Sequence, residues 1–325
     1  MIELVLLAGV AVAILTIVML CGILLMRLWR LVKERRRKRF YKIWRPLLVQ
    51  CVVDVPQAVP RVSRLDRLHF LYYWNYFHES LRGEAKQRLN QVARMAGMDR
   101  TAAGMLKRGS VRKRLLAIAT LGHLRERSVW NELQDLAASD HPVLSLASAR
   151  ALIQIDAKAA MSVLSPLIGA RADWSPATVA AMLREAGQDL IVRPLAIAAF
   201  SAPPGMAVRL ISYLEVTQSK DVLPLVRSLM LRWSADDRVQ VAALSLIGRC
   251  QGPQDLEIVR SYVSHPNWQV RAQAAIALGK MGVQADETRL ITMLADPQWE
   301  VRYRAAEALA GLPFVTRDRL ARIQS

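Results

Sequence analysis

The stretch His265-Pro266-Asn267-Trp268-Gln269-Val270-Arg271, running on to Leu278-Gly279, returns 31 residues later as Asp296-Pro297-Gln298-Trp299-Glu300-Val301-Arg302, running on to Leu309-Ala310-Gly311. In each copy a proline-bearing turn opens a segment whose aliphatic and small residues fall three and four apart, the spacing of one helix face. Self-similarity at a period of about 30 residues is the signature of stacked helical pairs. Working outward, the last large aliphatic of each second helix falls at Leu121, Leu152, Leu183, Leu214, Ile247, Leu278 and Leu309, in steps of 31, 31, 31, 33, 31 and 31. Four residues before each stand Ala117, Ser148, Val179, Leu210, Ala243, Ala274 and Ala305, a mostly small column that lets neighbouring helices approach closely. Pro142, Pro204, Pro266 and Pro297 mark the turns, because proline is tolerated in a first helical turn and not inside a helix; Asp173 and Ala235 fill that register between them. The first helices of the pairs are expected near Ser128–Ala138, Ala157–Ile168, Leu190–Phe200, Lys220–Trp233, Gln254–Tyr262 and Asp286–Leu294.

Composition agrees with closely packed helices. The hydrophobic fraction is 53% and the aromatic fraction only 6%, so the core must be built from Ala, Leu, Val and Ile. A charged content of 22% argues against global disorder. Cys21, Cys51 and Cys250 form no CxxC pair, which excludes a zinc site of ordinary spacing and a disulfide framework and points to a reducing compartment.

Val111-Arg112 with Leu121-Gly122, Val270-Arg271 with Ala274-Ala275 and Leu278-Gly279, and Asp296-Pro297 with Val301-Arg302, Ala305-Ala306 and Leu309 resemble short HEAT repeats over roughly residues 100–315. Ser175-Pro176 and Met206-Ala207 stand where the third and fourth units should carry Val-Arg, so the likeness is loose between 157 and 235. The resemblance implies an all-α, right-handed α-solenoid whose second helices line a concave binding face. It also implies that Arg112, Arg271 and Arg302 serve the scaffold first, bonding to an acid or carbonyl of a neighbouring repeat, and anionic ligands only second. Trp268 and Trp299, equivalent after the turn, are expected to pack against the adjacent repeat rather than offer a stacking platform.

The front of the chain differs in kind. Leu4 to Met26 is a run of 23 residues without a charge, which reads as a single transmembrane helix because it reaches about 34 Å against a hydrocarbon core of about 30 Å. Arg27, Arg30, Lys33, Arg35, Arg36, Arg37, Lys38 and Arg39 follow it and no Lys or Arg precedes it, so the positive-inside rule places the N-terminus outside and the repeats in the cytoplasm. Ten Lys/Arg against one acid between Arg27 and Arg45 supply half of the net charge of +18. This concentration weakens a nucleic-acid reading, which needs its charge on the folded face. Together with Trp29 and Trp44 these basic residues are expected to lie at a membrane surface and attract anionic lipids. Val52 to Pro60 reads as a linker, its prolines at 56 and 60 resisting helix and strand alike.

The expected organisation is therefore a transmembrane anchor at 1–26, a basic juxtamembrane segment and linker at 27–60, a helical N-terminal cap at 61–100 and the HEAT-like array at 101–325, closed by a C-terminal cap at Arg317–Ile323. In the N-terminal cap a helix is expected at Glu84–Met95, and Tyr72, Tyr73, Trp74, Tyr76 and Phe77 form the densest aromatic cluster, which either buries the open end of the array or docks a partner.

No catalytic constellation stands out. GxGxxG, GxxxxGK[ST], GxSxG and HExxH are absent, and His78-Glu79 is the single His-Glu pair where a HEAT-like di-iron hydroxylase would show several. The expectation is a non-enzyme with no cofactor and no metal: a single-pass scaffold of a bacterial inner membrane that binds a protein partner. The resemblance extends this to an accessory subunit of a membrane enzyme such as a glycosyltransferase. An anionic-lipid or nucleic-acid binding module is the alternative, with an unrecognised HEAT-like enzyme third; partner identity and oligomeric state stay open.

Overall fold

The computed structural model describes residues 2–217 and 219–315, with side chains from Thr16 onward. The described residues form 17 α-helices and no strand, and they divide into two compact units at Gly109/Ser110. The expected C-terminal cap at 317–323 lies outside them.

The first unit holds α1 (Ile2–Gln50), α2 (Arg67–Ser80), α3 (Glu84–Met95) and α4 (Met98–Arg108). Its core forms where the C-terminal end of α1 meets α2. Trp44 stands edge-on to Phe70 with ring centroids 4.6 Å apart, and Tyr41 meets Tyr73 edge-on at 5.0 Å. Trp74 is fully buried and its indole N–H donates to the Leu89 carbonyl at 3.1 Å, which ties α2 to α3 and satisfies the one polar atom this ring brings inside. Arg88 closes the unit from the other side, donating to the carbonyls of Cys51 (3.1 Å) and Val52 (2.8 Å) at the end of α1.

The apolar front of the chain does not make a separate span. It is the beginning of a 49-residue helix that runs on through the basic residues to Gln50. Among the described residues no helix is long and apolar enough to cross a membrane. The 49-residue helix carries the apolar stretch without a break into Arg27, Arg30 and Lys33 and on to Gln50. The side chains of the earlier part of the proposed 4–26 span lie outside the described residues. This overturns the expected transmembrane helix and, with it, the single-pass inner-membrane placement with the N-terminus outside.

The second unit is a stack of helical pairs: α5 (Val111–His123), α6 (Trp130–Ala138), α7 (Pro142–Ile155), α8 (Ala157–Ala170), α9 (Pro176–Ala186), α10 (Gln188–Ser201), α11 (Pro204–Leu214), α12 (Leu223–Arg232), α13 (Asp237–Cys250), α14 (Leu256–Ser261), α15 (Trp268–Met281), α16 (Glu287–Met293) and α17 (Trp299–Gly311). Their starts are set by local chemistry. Pro142, Pro176 and Pro204 open α7, α9 and α11. Asp156, Asp236 and Asn267 each accept a backbone N–H of the following first turn, satisfying a donor the helix itself leaves free.

Second helices pack on second helices, α5 on α7 and then α11, α13, α15 and α17 in succession. Glycine governs how closely. A Cβ on Gly248 would lie 2.8 Å from the Cα of Ala277, and one on Gly279 would lie 2.9 Å from that of Ala308, so α13–α15 and α15–α17 approach through backbone. The middle of the stack is built differently: α11 packs chiefly on α8, α10 and α13, with Leu210 seated on Gly169 and Arg209 donating to the Gly169 carbonyl at 3.2 Å. This is the region where the sequence loses its Val-Arg pairs.

Candidate interaction surface

Within α11–α17 Arg271 ties one repeat to the next. Its guanidinium holds both oxygens of Asp296, Nε to Oδ2 at 2.7 Å and Nη2 to Oδ1 at 2.9 Å, while Nη1 donates to the carbonyls of His265 (2.8 Å) and Pro266 (2.9 Å). One planar fork therefore fixes its own turn and the next one. The Arg271 hydrogen bond and then its charge hold the Asp296 carboxyl below the usual carboxylate range, and the same bond raises the Arg271 guanidinium. Arg302 repeats half of the pattern, donating to the carbonyls of Asp296 (2.8 Å) and Pro297 (3.0 Å). Arg112 is exposed and makes no such bond among the described residues.

On the first-helix side a second ladder runs through buried carboxylates that the sequence reading missed. Arg227 reaches Asp255 at 2.7 Å, and Arg260 grips Asp286 at 2.6 and 2.9 Å. Asp255 and Asp286 are 0% and 1% exposed and 31 residues apart, so they recur in the repeat register. That recurrence was the available signal, hidden because an Asp before a helix also reads as an ordinary surface cap.

The outward face of the second helices is polar and cross-linked. Glu215 accepts from Ser245 (2.9 Å) and faces Arg249 (3.2 Å), and Arg304 is pinned between Glu300 and Glu307 at 3.0 Å each. Toward the other end Glu185 accepts from Arg150 (2.9 Å) and Gln154 (2.7 Å), linking α7 to α9. Lys280 is exposed beside this face.

The two tryptophans, equivalent in register, differ in exposure. Trp268 lies eleven residues, about three turns, before Gly279, and so on the face that meets α17; it is 39% exposed. Trp299 has no described helix beyond it, and it stays 64% exposed with only Tyr303 against it, ring centroids 6.3 Å apart.

In the first unit the expected aromatic cluster splits. Trp74 is core, Tyr73 and Phe77 are half-buried, and Tyr72 and Tyr76 face outward, because residues four apart share a helix face and those two apart do not. The expected membrane-surface set splits as well. Arg27, Arg30, Lys33, Arg35, Arg37, Lys38 and Arg39 are exposed, as is Trp29, with the Lys33 ammonium 4.9 Å from its ring. Arg36 instead pairs with Asp66 at 2.7 Å and reaches Ser63 at 3.2 Å, and Trp44 is buried against Phe70. A tryptophan two turns from the helix end was read as interfacial because the sequence does not show that α2 folds back onto it. No cluster of three or more His, Cys, Asp or Glu able to hold a metal ion is found among the described residues.

An all-helical stack of pairs at a 31-residue step, tied by arginine forks at its turns, defines a helical-repeat protein. Residues 223–310 match the family of HEAT repeats, which with this fold supports a HEAT-repeat protein. The matched span is the regular part of the stack, α12 to α17. No curated protein matches the chain.

Proposed function

We propose that the chain is a protein-interaction scaffold that holds a partner on the outward face of α11–α17. HEAT repeats commonly mediate protein–protein interaction. The observation that carries the reading to this chain is the regular step of the second helices, which presents Ser245, Arg249, Lys280, Arg304 and Glu307 from successive helices on one pre-ordered surface. Ser245 and Arg249 are held to Glu215 of the preceding unit and Arg304 to Glu307 of its own helix, and side chains so held lose little freedom on binding. Affinity purification of the full chain is expected to recover a stoichiometric protein partner, with recovery falling about tenfold on combining Arg249→Glu with Lys280→Glu. Recovery of no stoichiometric protein, or of the same amount with the double variant, sinks the reading.

A second contact, with an anionic lipid surface, is supported by α1. Ile17, Leu20 and Leu24, three and four residues apart, are exposed on one face of the helix and Met26 on the opposite one, and the exposed basic residues that follow carry the complementary charge. Each basic residue near such a surface contributes about 1 kcal/mol at low salt. The chain is expected to float with phosphatidylglycerol vesicles and not with phosphatidylcholine vesicles. Arg35→Glu, Arg37→Glu and Arg39→Glu together should abolish flotation; undiminished flotation of that variant would falsify the contact.

A further inference from the structure

The first-helix side of the second unit is polar or small along most of its length: Asn131 and Asp135 face outward on α6, Ser162 on α8, Glu257 on α14, Thr288 and Thr292 on α16. The exception is where α10 meets α12. Ile197 and Phe200, one turn apart on α10, are 56% and 41% exposed, and Leu231 on α12 is 80% exposed. The two helices pack together, and the Arg232 guanidinium lies 4.6 Å over the Phe200 ring, so Phe200 and the end of α12 that carries Leu231 adjoin. Isolated exposed apolar residues need no explanation, but three large ones on two packed helices of an otherwise polar side do.

The charge around the patch specifies what fits it. Arg193, one turn before Ile197, and Arg232 flank the apolar residues; both are exposed, and neither pairs with a carboxylate among the described residues. This contrasts with Arg227, Arg260 and Arg271, each committed to a buried or half-buried acid. Arg232 is also pre-positioned by stacking on Phe200 and on Trp233 at 5.3 Å, which lowers the entropy lost when it takes a ligand.

We infer that the α10–α12 patch docks an amphipathic helix of a partner protein, with the partner's apolar stripe on Ile197, Phe200 and Leu231 and its carboxylates against Arg193 and Arg232. An amphipathic helix presents an apolar stripe and flanking charges at the three- and four-residue spacing that this patch offers. The inference rests on the scaffold reading but uses the opposite side of the helical pairs.

The test uses the full chain and two labelled amphipathic helical peptides of about 18 residues with the same leucine stripe, one with glutamates on its polar face and one with lysines. Fluorescence anisotropy is expected to show the glutamate peptide binding at least about tenfold more tightly than the lysine peptide. Leu231→Glu and Arg232→Glu should each weaken it about fivefold or more, while Lys280→Glu on the second-helix face leaves it unchanged. Equal binding of the two peptides, no binding of either, or insensitivity to both patch variants overturns the inference. Weakening by Lys280→Glu alone overturns it too, while leaving the scaffold reading in place. A concentration-dependent dimer in sedimentation that Leu231→Glu dissolves would make a second copy the occupant and overturn it as well.

Discussion

Replacing Ala274 by arginine is expected to unfold the end of the second unit, at a cost of about 4 kcal/mol or more. Ala274 is fully buried in α15, and it lies one turn from Ala277, whose Cα leaves no room for a Cβ on Gly248 of α13. An arginine there must push α13 and α15 apart or bury a charge that no carboxylate meets. Helical repeats are stabilised mainly by their immediate neighbours, so the loss should be local, with α15 to α17 gaining amide exchange before α5 to α8. Ala305, fully buried at the equivalent place in α17, should respond in the same way. Ala306 is exposed, and Ala306→Arg should stay within about 0.5 kcal/mol of the parent. Thermal unfolding followed by circular dichroism separates the three; a near-parental midpoint for Ala274→Arg would show that this column does not line the helix contact.

Arg271→Ala is expected to cost about 3 kcal/mol, most of it from the groups left behind. The side chains of Arg271 and Asp296 are 14% and 9% exposed, so removing the guanidinium strands a carboxylate that keeps only the Gln298 N–H at 2.9 Å, together with two turn carbonyls. Arg271→Lys should recover little, since an ammonium cannot reach both carboxylate oxygens and both carbonyls at once. The pair also sets an acid limb. The Asp296 carboxyl is held below its unfolded value of about 3.9, so its contribution is fully present above that pH and is lost as pH falls through the folded-state value. Urea unfolding between about pH 6 and pH 2 should therefore show a shallower acid limb in Arg271→Ala than in the parent. Asp296→Asn should show the same flattening, and the double variant should be less destabilised than the sum of the two. Parallel acid limbs in parent and Arg271→Ala would rule out the pair as a source of the pH dependence.

Particular residues show why some of this was legible and some was not. The second helices could be located because Leu121 to Leu309 keep step and because a proline can open a helix but not continue one. The two-residue slip between Leu214 and Ile247 marks the irregular middle, yet nothing in it says that Leu210 would seat on Gly169 of α8. Trp268 and Trp299 are the same residue in the same register, and yet are 39% and 64% exposed. Trp29 and Trp44 sit in one basic, aromatic stretch, and only the return of α2 onto the end of α1 makes the second a core residue.

By itself, then, the sequence determined the helical class, the 31-residue step and the small-residue column, all of which follow from local periodicity and backbone chemistry. It also pointed to Arg271 as part of the scaffold, through resemblance. The tertiary structure decided that the apolar front belongs to a 49-residue helix with no membrane-spanning stretch among its described residues, and that Asp255 and Asp286 are buried carboxylates paired with arginines. It also packed α10 on α12, with Arg232 over the Phe200 ring and Ile197, Phe200 and Leu231 exposed. The physical reason is the same in each case: periodicity tells which side of a helix is apolar, while burial and charge pairing depend on which other helix arrives there.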